Sequence, residues 1–363
     1  MTLRPRQGAS IPVSDLQRAS HPQRALTLHR GRASGPAGAV PPRRLREQDE
    51  INVPESAALE LIDQPRPSKR HTLSRSLLPQ DLPDPCVVRA DGVYWVYTTN
   101  SVTMGNVPLL RTGDLQQTLT YVCDAMPTLP AWAQRGLTWA PEVTRLPNGG
   151  FALYFTARLI GTGVQVIGCA LSDSPQGPFI AADRPMIEMR ALGGAIDAGT
   201  LVREDGTAYL YWKNDGNAVG LPTTLWGAQL SPCGRFIGCA RPLLGASHEW
   251  ECELVEAPQV IEEGDHFHLI YACGEYDNAS YAQGHAVGAS PLGPFRKSTE
   301  PLLATVGALH GPGHACAFRD HAGEWHLMYH AWTRGAVGYK AKGKRTLRLS
   351  RLRIQGERVW TEG

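Results

Sequence analysis

The chain has 363 residues, a formal net charge of +2 and a hydrophobic fraction of 42%, which is ordinary for a globular protein. No stretch approaches the roughly 18 to 20 consecutive apolar residues that a membrane-spanning helix needs, so no membrane partner is expected. Residues 1–70 carry 12 Lys and Arg against 7 Asp and Glu, and the slightly acidic remainder argues against binding to nucleic acid.

Residues 1–72 differ in composition from the rest of the chain. They are rich in Arg, Pro, Ser and Ala, and their apolar residues follow neither the period of a strand nor that of a helix. We therefore predict a disordered basic tail over 1–72 and one folded domain over 73–363. The tail lacks the apolar run of about 7–15 residues found in secretory signal peptides, so we expect a cytoplasmic protein.

From about residue 76 the pattern is that of an all-β protein. Short runs of β-branched and aromatic residues alternate with Asp-Gly and Asn-Gly pairs, which favour tight hairpins. One hairpin recurs five times, and each copy has a polar residue, then a turn with glycine, then an aromatic strand. The five polar residues, at intervals of 58, 55, 59 and 58, are Asp84, Glu142, Asp197, Glu256 and His314.

A second hairpin follows in each repeat. Residues 166–179 and 286–295 nearly repeat each other, and both end in Gly-Pro-Phe. Because two hairpins make a four-stranded blade, we predict a five-bladed β-propeller with four-stranded blades. The last blade should supply its own outer strands near 346–353 and 358–360. Tyrosines that recur in the second strands should form the core between blades; they are Tyr97, Tyr154, Tyr211, Tyr271 and Tyr329.

The eight cysteines show neither a Cys-x-x-Cys pair nor the spacing of a zinc site. We expect them to be small buried apolar residues in a reducing compartment rather than disulfide partners.

The repeat brings three carboxylates to one end of the propeller channel. Residues just before the first strand of a blade lie there, so Asp84, Asp197 and Glu256 should converge. Such a group suits the hydrolysis of a glycosidic bond, in which one carboxylate activates water and one carboxylic acid protonates the leaving oxygen. A further anion nearby raises the pKa of the acid and keeps it protonated.

The motifs around these residues resemble those of glycoside hydrolase family 43, over about residues 76–360 and in the family's order. They are Asp84-Pro85, Trp139-Ala140-Pro141-Glu142, Ile196-Asp197, Val255-Glu256-Ala257-Pro258 and Gly311-Pro312-Gly313-His314. The resemblance implies an inverting hydrolase of arabinosides, xylosides, arabinans or galactosides. It makes Asp84 the general base, Glu256 the general acid and Asp197 the residue that tunes the pKa of the acid.

Three further site residues follow from the same resemblance. Trp139 would pack on the sugar, and Glu142 would shape the site or position the substrate. His314 matches a channel histidine beside which some members hold a water-coordinated calcium or other ion. The chain has Ala315 where a polar residue often follows this histidine, which weakens the prediction of a channel metal, and no cofactor is required.

Several alternatives stay open at this point. Asp81 competes with Asp84 but lacks the following proline, and Glu253 is the next choice for the acid after Glu256. His314 could instead be an interior histidine that bonds across the channel. Four other histidines, His266, His268, His326 and His330, are interpreted as packing or surface residues.

We expect the partner to be an oligosaccharide of plant cell walls, with α-L-arabinofuranosidase or β-D-xylosidase activity and a carboxyl separation of about 6.5–9.5 Å between Asp84 and Glu256. The alternatives are an endo-arabinanase or galactosidase of the same fold, a glycoside phosphorylase, and a propeller that binds carbohydrate without catalysis. The oligomeric state is not predicted.

Overall fold

The computed structural model describes residues 77–236, 238–333 and 335–362. Within them, twenty strands form five sheets, and each sheet contains four antiparallel strands that are consecutive in the chain. The whole of the predicted tail, 1–72, and the first residues of the predicted domain, 73–76, lie outside the described residues. The predicted boundary at residue 72 therefore stays a prediction.

Each sheet is one blade. Blade 1 comprises β1 (Cys86–Ala90), β2 (Val93–Tyr97), β3 (Pro108–Thr112) and β4 (Thr120–Asp124). Blade 2 comprises β5 (Ala133–Arg145), β6 (Phe151–Leu159), β7 (Gln165–Ser172) and β8 (Ile180–Ala181). Blade 3 comprises β9 (Ala195–Val202), β10 (Ala208–Asn214), β11 (Thr224–Leu230) and β12 (Arg241–Gly245). Blade 4 comprises β13 (Val255–Glu263), β14 (His266–Cys273), β15 (Ala282–Gly288) and β16 (Arg296–Lys297). Blade 5 comprises β17 (His310–Arg319), β18 (Trp325–Trp332), β19 (Arg345–Gln355) and β20 (Arg358–Glu362).

The first strands of the five blades contact one another in a closed cycle, from β1 through β5, β9, β13 and β17 back to β1. This ring confirms the predicted five-bladed propeller with four-stranded blades. Short 3₁₀ helices occur in the connections, at Arg190–Leu192, Gly216–Val219, Glu249–Glu251 and Tyr339–Ala341. None of the helices among the described residues has the length and apolar character needed to cross a membrane.

The hairpin between β1 and β2 shows how the sequence sets the local structure. Asp91 and Gly92 both have positive φ, 53° and 74°, as a two-residue turn between right-twisted antiparallel strands requires. The strands then pair in register from Ala90 opposite Val93 to Cys86 opposite Tyr97. The aromatic strand that follows each turn thus lies next to the strand that lines the channel.

The recurrent tyrosines form the core between blades, as predicted, since all five are buried. Three of them also use the phenolic hydroxyl to hold the next blade. Tyr97 donates to the carbonyl oxygen of Pro175 at 2.5 Å, Tyr154 to that of Gly234 at 3.1 Å and Tyr211 to that of Pro291 at 2.8 Å. Each acceptor lies in an outer turn of the following blade, so one residue type both fills and bonds the interface.

Hydrogen bonds between neighbouring first strands form a floor below the end of the channel. Glu142 Oε1 of blade 2 accepts bonds from the backbone nitrogen and hydroxyl of Thr200 in blade 3, at 2.9 and 2.6 Å. Gln259 of blade 4 accepts from the backbone nitrogen of Ala317 and donates to its carbonyl oxygen, at 2.5 and 3.2 Å. These buried amide and carboxylate groups are therefore satisfied between blades.

Two buried thiols complete this floor. The backbone nitrogen of Val143 donates to Cys86 Sγ at 3.2 Å, and that of Val87 donates to Cys316 Sγ at 3.3 Å. All eight cysteines lie within the described residues and are free. Their predicted burial is confirmed only for Cys86, Cys273 and Cys316; it is wrong for Cys233, Cys239 and Cys252, which lie in exposed loops, while Cys123 and Cys169 are half-buried.

Blade 5 closes the ring without borrowing a strand, as predicted, because β19 and β20 are its own outer strands. The segment that leads into blade 1 runs beside β19. Its Leu77 and Leu82 donate backbone hydrogen bonds of 3.0 Å to the carbonyl oxygens of Leu347 and Arg345. The seam between the first and last blades is thus held by single hydrogen bonds and side-chain contacts.

Candidate active site

The site is built where the backbone of the first strands turns into the left-handed region. Asp84, Asp197 and His314 have φ of 60°, 59° and 48°, a conformation that costs a non-glycine residue about 1 kcal/mol or more. In blades 2 and 4 the equivalent residues are Ala140 and Ala257, with φ of 45° and 48°. This break in the strand directs side chains toward the end of the channel.

These backbone positions correct one sequence interpretation. Glu142 has the spacing of the repeat, but Ala140 takes the backbone position that Asp84 and Asp197 take in their blades. Glu142 comes two residues after Ala140, as Cys86 comes two residues after Asp84, so Glu142 belongs to the floor. Equal spacing along the chain therefore did not mean an equal position in the blade.

Asp84 is surrounded by donors and cationic groups. The hydroxyl of Thr99 donates to its Oδ2 at 2.5 Å. Near Oδ1 lie His314 Nδ1 at 3.3 Å and an Arg345 nitrogen at 3.5 Å. His330 Nδ1 is also 3.3 Å from Oδ1, and it accepts a hydrogen bond of 3.2 Å from the backbone nitrogen of Asp84. Burial alone would raise the pKa of Asp84, but His314, Arg345 and His330 outweigh it and hold the pKa far below the ordinary value. Asp84 is therefore a carboxylate near neutral pH.

Asp197 lies in a different environment. Its Oδ2 accepts a hydrogen bond of 3.1 Å from the backbone nitrogen of Ala257, and its own backbone nitrogen donates to the Thr156 hydroxyl at 3.2 Å. Burial and the nearby Glu256 carboxylate together raise the pKa of Asp197 to about 7, against the opposing effects of His314 and Lys213. This carboxyl group can hold a proton near neutral pH.

Glu256 is bound through both carboxylate oxygens. Oε2 lies 2.9 Å from Lys213 Nζ, and Oε1 accepts a hydrogen bond of 2.7 Å from the Tyr281 hydroxyl. Burial raises the pKa of Glu256, but Lys213 and Tyr281 together lower it below the ordinary value. Asp197 and Glu256 influence each other, so their protons belong to the pair rather than to either residue.

The remaining part of the site was not apparent from the sequence. His330 is fully buried beside Asp84, with its ring stacked on Tyr281 at 5.6 Å between centroids. Arg345 is held by the Tyr339 hydroxyl, which lies 2.9 Å from its Nε, and its guanidinium covers the Tyr276 ring at 5.0 Å. His330 is thus a packing residue, as interpreted, and in addition it contacts Asp84.

The sequence of the chain matches a known family over most of its length. The match to "Glycosyl hydrolases family 43" extends over residues 74–357. The chain belongs to glycosyl hydrolase family 43. The family that the motifs resembled is thus confirmed.

Individual relatives agree with this membership. "Extracellular endo-alpha-(1->5)-L-arabinanase 2" of Bacillus subtilis (strain 168) is 21% identical over 255 residues, which cover 62% of this chain and 52% of the relative. "Xylosidase/arabinosidase 43A" of Humicola insolens is 35% identical over 99 residues, 27% of this chain and 25% of the relative. The chain spans about half the length, or less, of these curated relatives. A "thermostable family-43 glycoside hydrolase" has the same fold, with a TM-score of 0.70 at 24% identity over 78% of this chain and 93% of its own.

In this family 43 chain the structure brings together Asp84, Asp197, Glu256 and His314 at one end of the channel. Glu142 lies in the floor, and its carboxylate is bonded to Thr200. Trp139 precedes the left-handed Ala140 and is half-buried. The position of Glu142 supports a structural role, because its Oε1 accepts two hydrogen bonds from Thr200.

The two competing carboxylates lie outside this group. Asp81 accepts bonds from the backbone nitrogen of Arg345 at 2.7 Å and from the Tyr339 hydroxyl at 3.1 Å, so it supports Arg345. Glu253 is exposed on the loop before β13. Its neighbour Glu251 is fully buried and bonded to Lys297 at 2.6 Å, which fixes the start of that loop.

The predicted calcium ion would lie near His314, above a cavity of about 20 Å³ lined by Glu142, Gln259 and Cys316. Calcium takes six to eight oxygen ligands, whereas Oε1 of Glu142 and the side-chain oxygen of Gln259 are already bonded to protein. Within the described residues no group of three His, Cys, Asp or Glu side chains could hold a metal. The described side chains alone therefore do not supply the ligands of a calcium ion, and the water-coordinated ion near His314 stays a prediction.

Proposed function

We propose that this family 43 protein is an inverting glycoside hydrolase that releases pentose units from plant cell-wall oligosaccharides, as an α-L-arabinofuranosidase or a β-D-xylosidase. The observation that carries the proposal is the contrast between two carboxyl environments in one site. Asp84 is held ionised by His314, Arg345 and His330, while the Asp197 and Glu256 pair can hold a proton near neutral pH. Environments that separate pKa values in this way are typical of acid and base partners.

The proposed reaction is a single displacement. Asp84 takes a proton from a water molecule as the oxygen of that water bonds to the anomeric carbon. Glu256 gives a proton to the glycosidic oxygen, which keeps the electron pair of the breaking bond and leaves as a hydroxyl group. Water is consumed, two hydroxyl groups are formed, and exchange with solvent returns Asp84 and Glu256 to their starting states.

The names of the relatives support pentose substrates. One is named an endo-arabinanase and another a xylosidase/arabinosidase. The first name supports endo-arabinanase activity as the second candidate. A propeller that only binds carbohydrate is disfavoured, because burying three carboxylates is costly and a binding module would not need them.

The test uses the purified protein with aryl α-L-arabinofuranoside, aryl β-D-xyloside, and oligomers of arabinan and xylan. Release of a single pentose, with the anomeric configuration inverted in fresh product by NMR, is the expected result. Products of several lengths from arabinan alone would favour the endo-arabinanase. Binding without release from any substrate, across mild pH, would overturn the hydrolase.

A further inference from the structure

The proposed acid has no free oxygen in the structure. A general acid must carry its proton on an oxygen that faces the leaving group. In Glu256, however, Oε1 already accepts from the Tyr281 hydroxyl at 2.7 Å, and Oε2 lies 2.9 Å from the Lys213 ammonium. The Lys213 ammonium can only donate, and the Tyr281 hydroxyl donates here, so the arrangement suits a carboxylate and the ammonium opposes a carboxylic acid.

Lys213 is the neighbour that can change partners. It lies on β10 in blade 3, its side chain is 1% exposed, and its ammonium lies between two carboxylates. Glu256 Oε2 is 2.9 Å away and Asp215 Oδ1 is 3.8 Å away. A buried ammonium needs a paired anion, and Asp215 offers one within a short movement of a flexible side chain.

Asp215 is also the more exposed of the neighbouring groups in blade 3. It follows the end of β10, where the chain enters the 3₁₀ helix Gly216–Val219. Its pKa is raised chiefly by burial, with Lys213 acting in the opposite direction. Lys213 itself stays protonated, because Glu256, Asp197 and Asp215 raise its pKa more than burial lowers it.

We propose that Lys213 is a positioning residue that moves from Glu256 to Asp215 when the sugar enters, so that Glu256 can take up the proton it gives to the leaving group. The proton comes from solvent as the ion pair opens, and the pair forms again after the product leaves. Lys213 thereby keeps the empty site ionised and delays formation of the acid until substrate is bound. This inference rests on the proposed function, because it assigns the control of the acid in that reaction.

Other ionisable groups also face this part of the site and are common to every variant considered below. They are Asp84, Arg158, Asp197, Tyr276, Tyr281 and His314. Since they stay unchanged, a difference between the Lys213 and Asp215 variants reports the competition between Glu256 and Asp215 for the ammonium.

The decisive experiment is the pH dependence of kcat/KM for Lys213→Met and Asp215→Asn. Loss of the ammonium should move the high-pH limb, where the acid loses its proton, upward by about one pH unit or more. Loss of the Asp215 carboxylate should leave Lys213 paired with Glu256 and move the high-pH limb to lower pH. A role in folding alone would not shift the two variants in opposite directions.

A matched control is Lys297→Met, which removes another buried lysine paired with a glutamate, Glu251, outside the site. It should lower Tm without moving the high-pH limb. Shifts in the same direction for the Lys213 and Asp215 variants, or no shift in either, would overturn the inference. If Lys213→Met does not fold, the shift of the high-pH limb to lower pH expected for Asp215→Asn still tests the role of Lys213.

A second readout separates this inference from the proposed function. Calorimetric titration with the products L-arabinose or D-xylose, in buffers of different ionisation enthalpy, measures proton uptake on binding. The wild-type protein should take up a proton near neutral pH, and Lys213→Met should take up much less, because its Glu256 is already protonated. Binding without proton uptake overturns the role of Lys213 even if hydrolysis is observed, whereas absence of hydrolysis with normal uptake overturns only the proposed function.

Discussion

The Arg345 guanidinium lies 3.5 Å from Asp84 Oδ1, although 261 residues separate the two in the chain. Asp84 belongs to blade 1 and Arg345 to β19 of blade 5. The pair therefore forms only when the ring is closed, and it helps to keep the proposed base ionised.

Replacing Arg345 should move the low-pH limb of the activity profile. Arg345 lowers the pKa of Asp84, so Arg345→Met raises that pKa, and the base is lost at a higher pH than in the wild-type protein. The measurement is kcat/KM against pH. Arg353→Met is the control, because Arg353 pairs with Glu324 and Glu362 away from the site, and it should leave the profile unchanged. An unmoved limb in Arg345→Met would contradict the electrostatic role.

Glu256→Gln should abolish most turnover of a natural disaccharide. Loss of a general acid costs about 10²–10⁴-fold in rate, and less for an aryl glycoside whose leaving group needs little protonation. Glu253→Gln is the matched control, since Glu253 is exposed on the preceding loop. Steady-state rates on both substrate types measure the difference. Near-normal activity of Glu256→Gln together with a large loss in Glu253→Gln would transfer the acid role to Glu253.

The buried pair His268 and His285 in blade 4 should make the fold sensitive to acid. Their ring nitrogens lie 3.0 Å apart. Burial lowers their pKa values from 6.5 to about 4 and about 3, respectively. Between pH 6.5 and 4 the unfolded chain therefore binds more protons than the folded one. The free energy of unfolding consequently decreases as the pH is lowered through this range.

Urea unfolding at several pH values measures this effect. Each pKa unit corresponds to about 1.4 kcal/mol, so the pair should account for a loss of several kcal/mol across the window. The double variant His268→Leu/His285→Leu removes both titrations and should flatten the dependence, whatever its stability at pH 7. An equally steep dependence in the double variant would show that other groups cause the acid sensitivity.

Gly199 should not tolerate a side chain. It lies in the floor beside blade 4, and a Cβ atom there would collide with the carbonyl oxygen of Pro258. Gly199→Ala should therefore cost about 1–3 kcal/mol or more, as overpacking does. Gly113→Ala is the control, because its Cβ would meet no atom within 4 Å and its φ is not positive. Equal stability of the two variants, measured by thermal unfolding, would contradict this packing argument.

The sequence carried enough information for the fold because the hairpin signal is local. Asp91-Gly92 determines a turn from two residues, and five copies of that unit imply a ring. The carboxylates could be proposed for the same reason, since each lies in a motif just before or at the start of a first strand. One register was misjudged, because Glu142 keeps the spacing of the repeat although it lies two residues after the left-handed position of its blade, which Ala140 takes.

The partners of those carboxylates could not be predicted. Lys213 and His330 lie on second strands, and Arg345 lies on a third strand. On such strands alternate residues face opposite sides, and the facing blade is many residues away. Which lysine or histidine meets which carboxylate depends on how the blades are rotated against each other, and local patterns do not contain that rotation.

The seam of the ring gives one further consequence. Three of the residues that surround Asp84 Oδ1, namely His314, His330 and Arg345, come from blade 5, whereas Asp84 itself comes from blade 1. No strand is exchanged across this seam. The contacts that join blade 5 to blade 1 at Asp84 are therefore also the contacts that lower the pKa of the proposed base. If blades 1 and 5 separated, Asp84 would lose these three neighbours while each blade still kept its four strands. Activity therefore depends on closure of the ring.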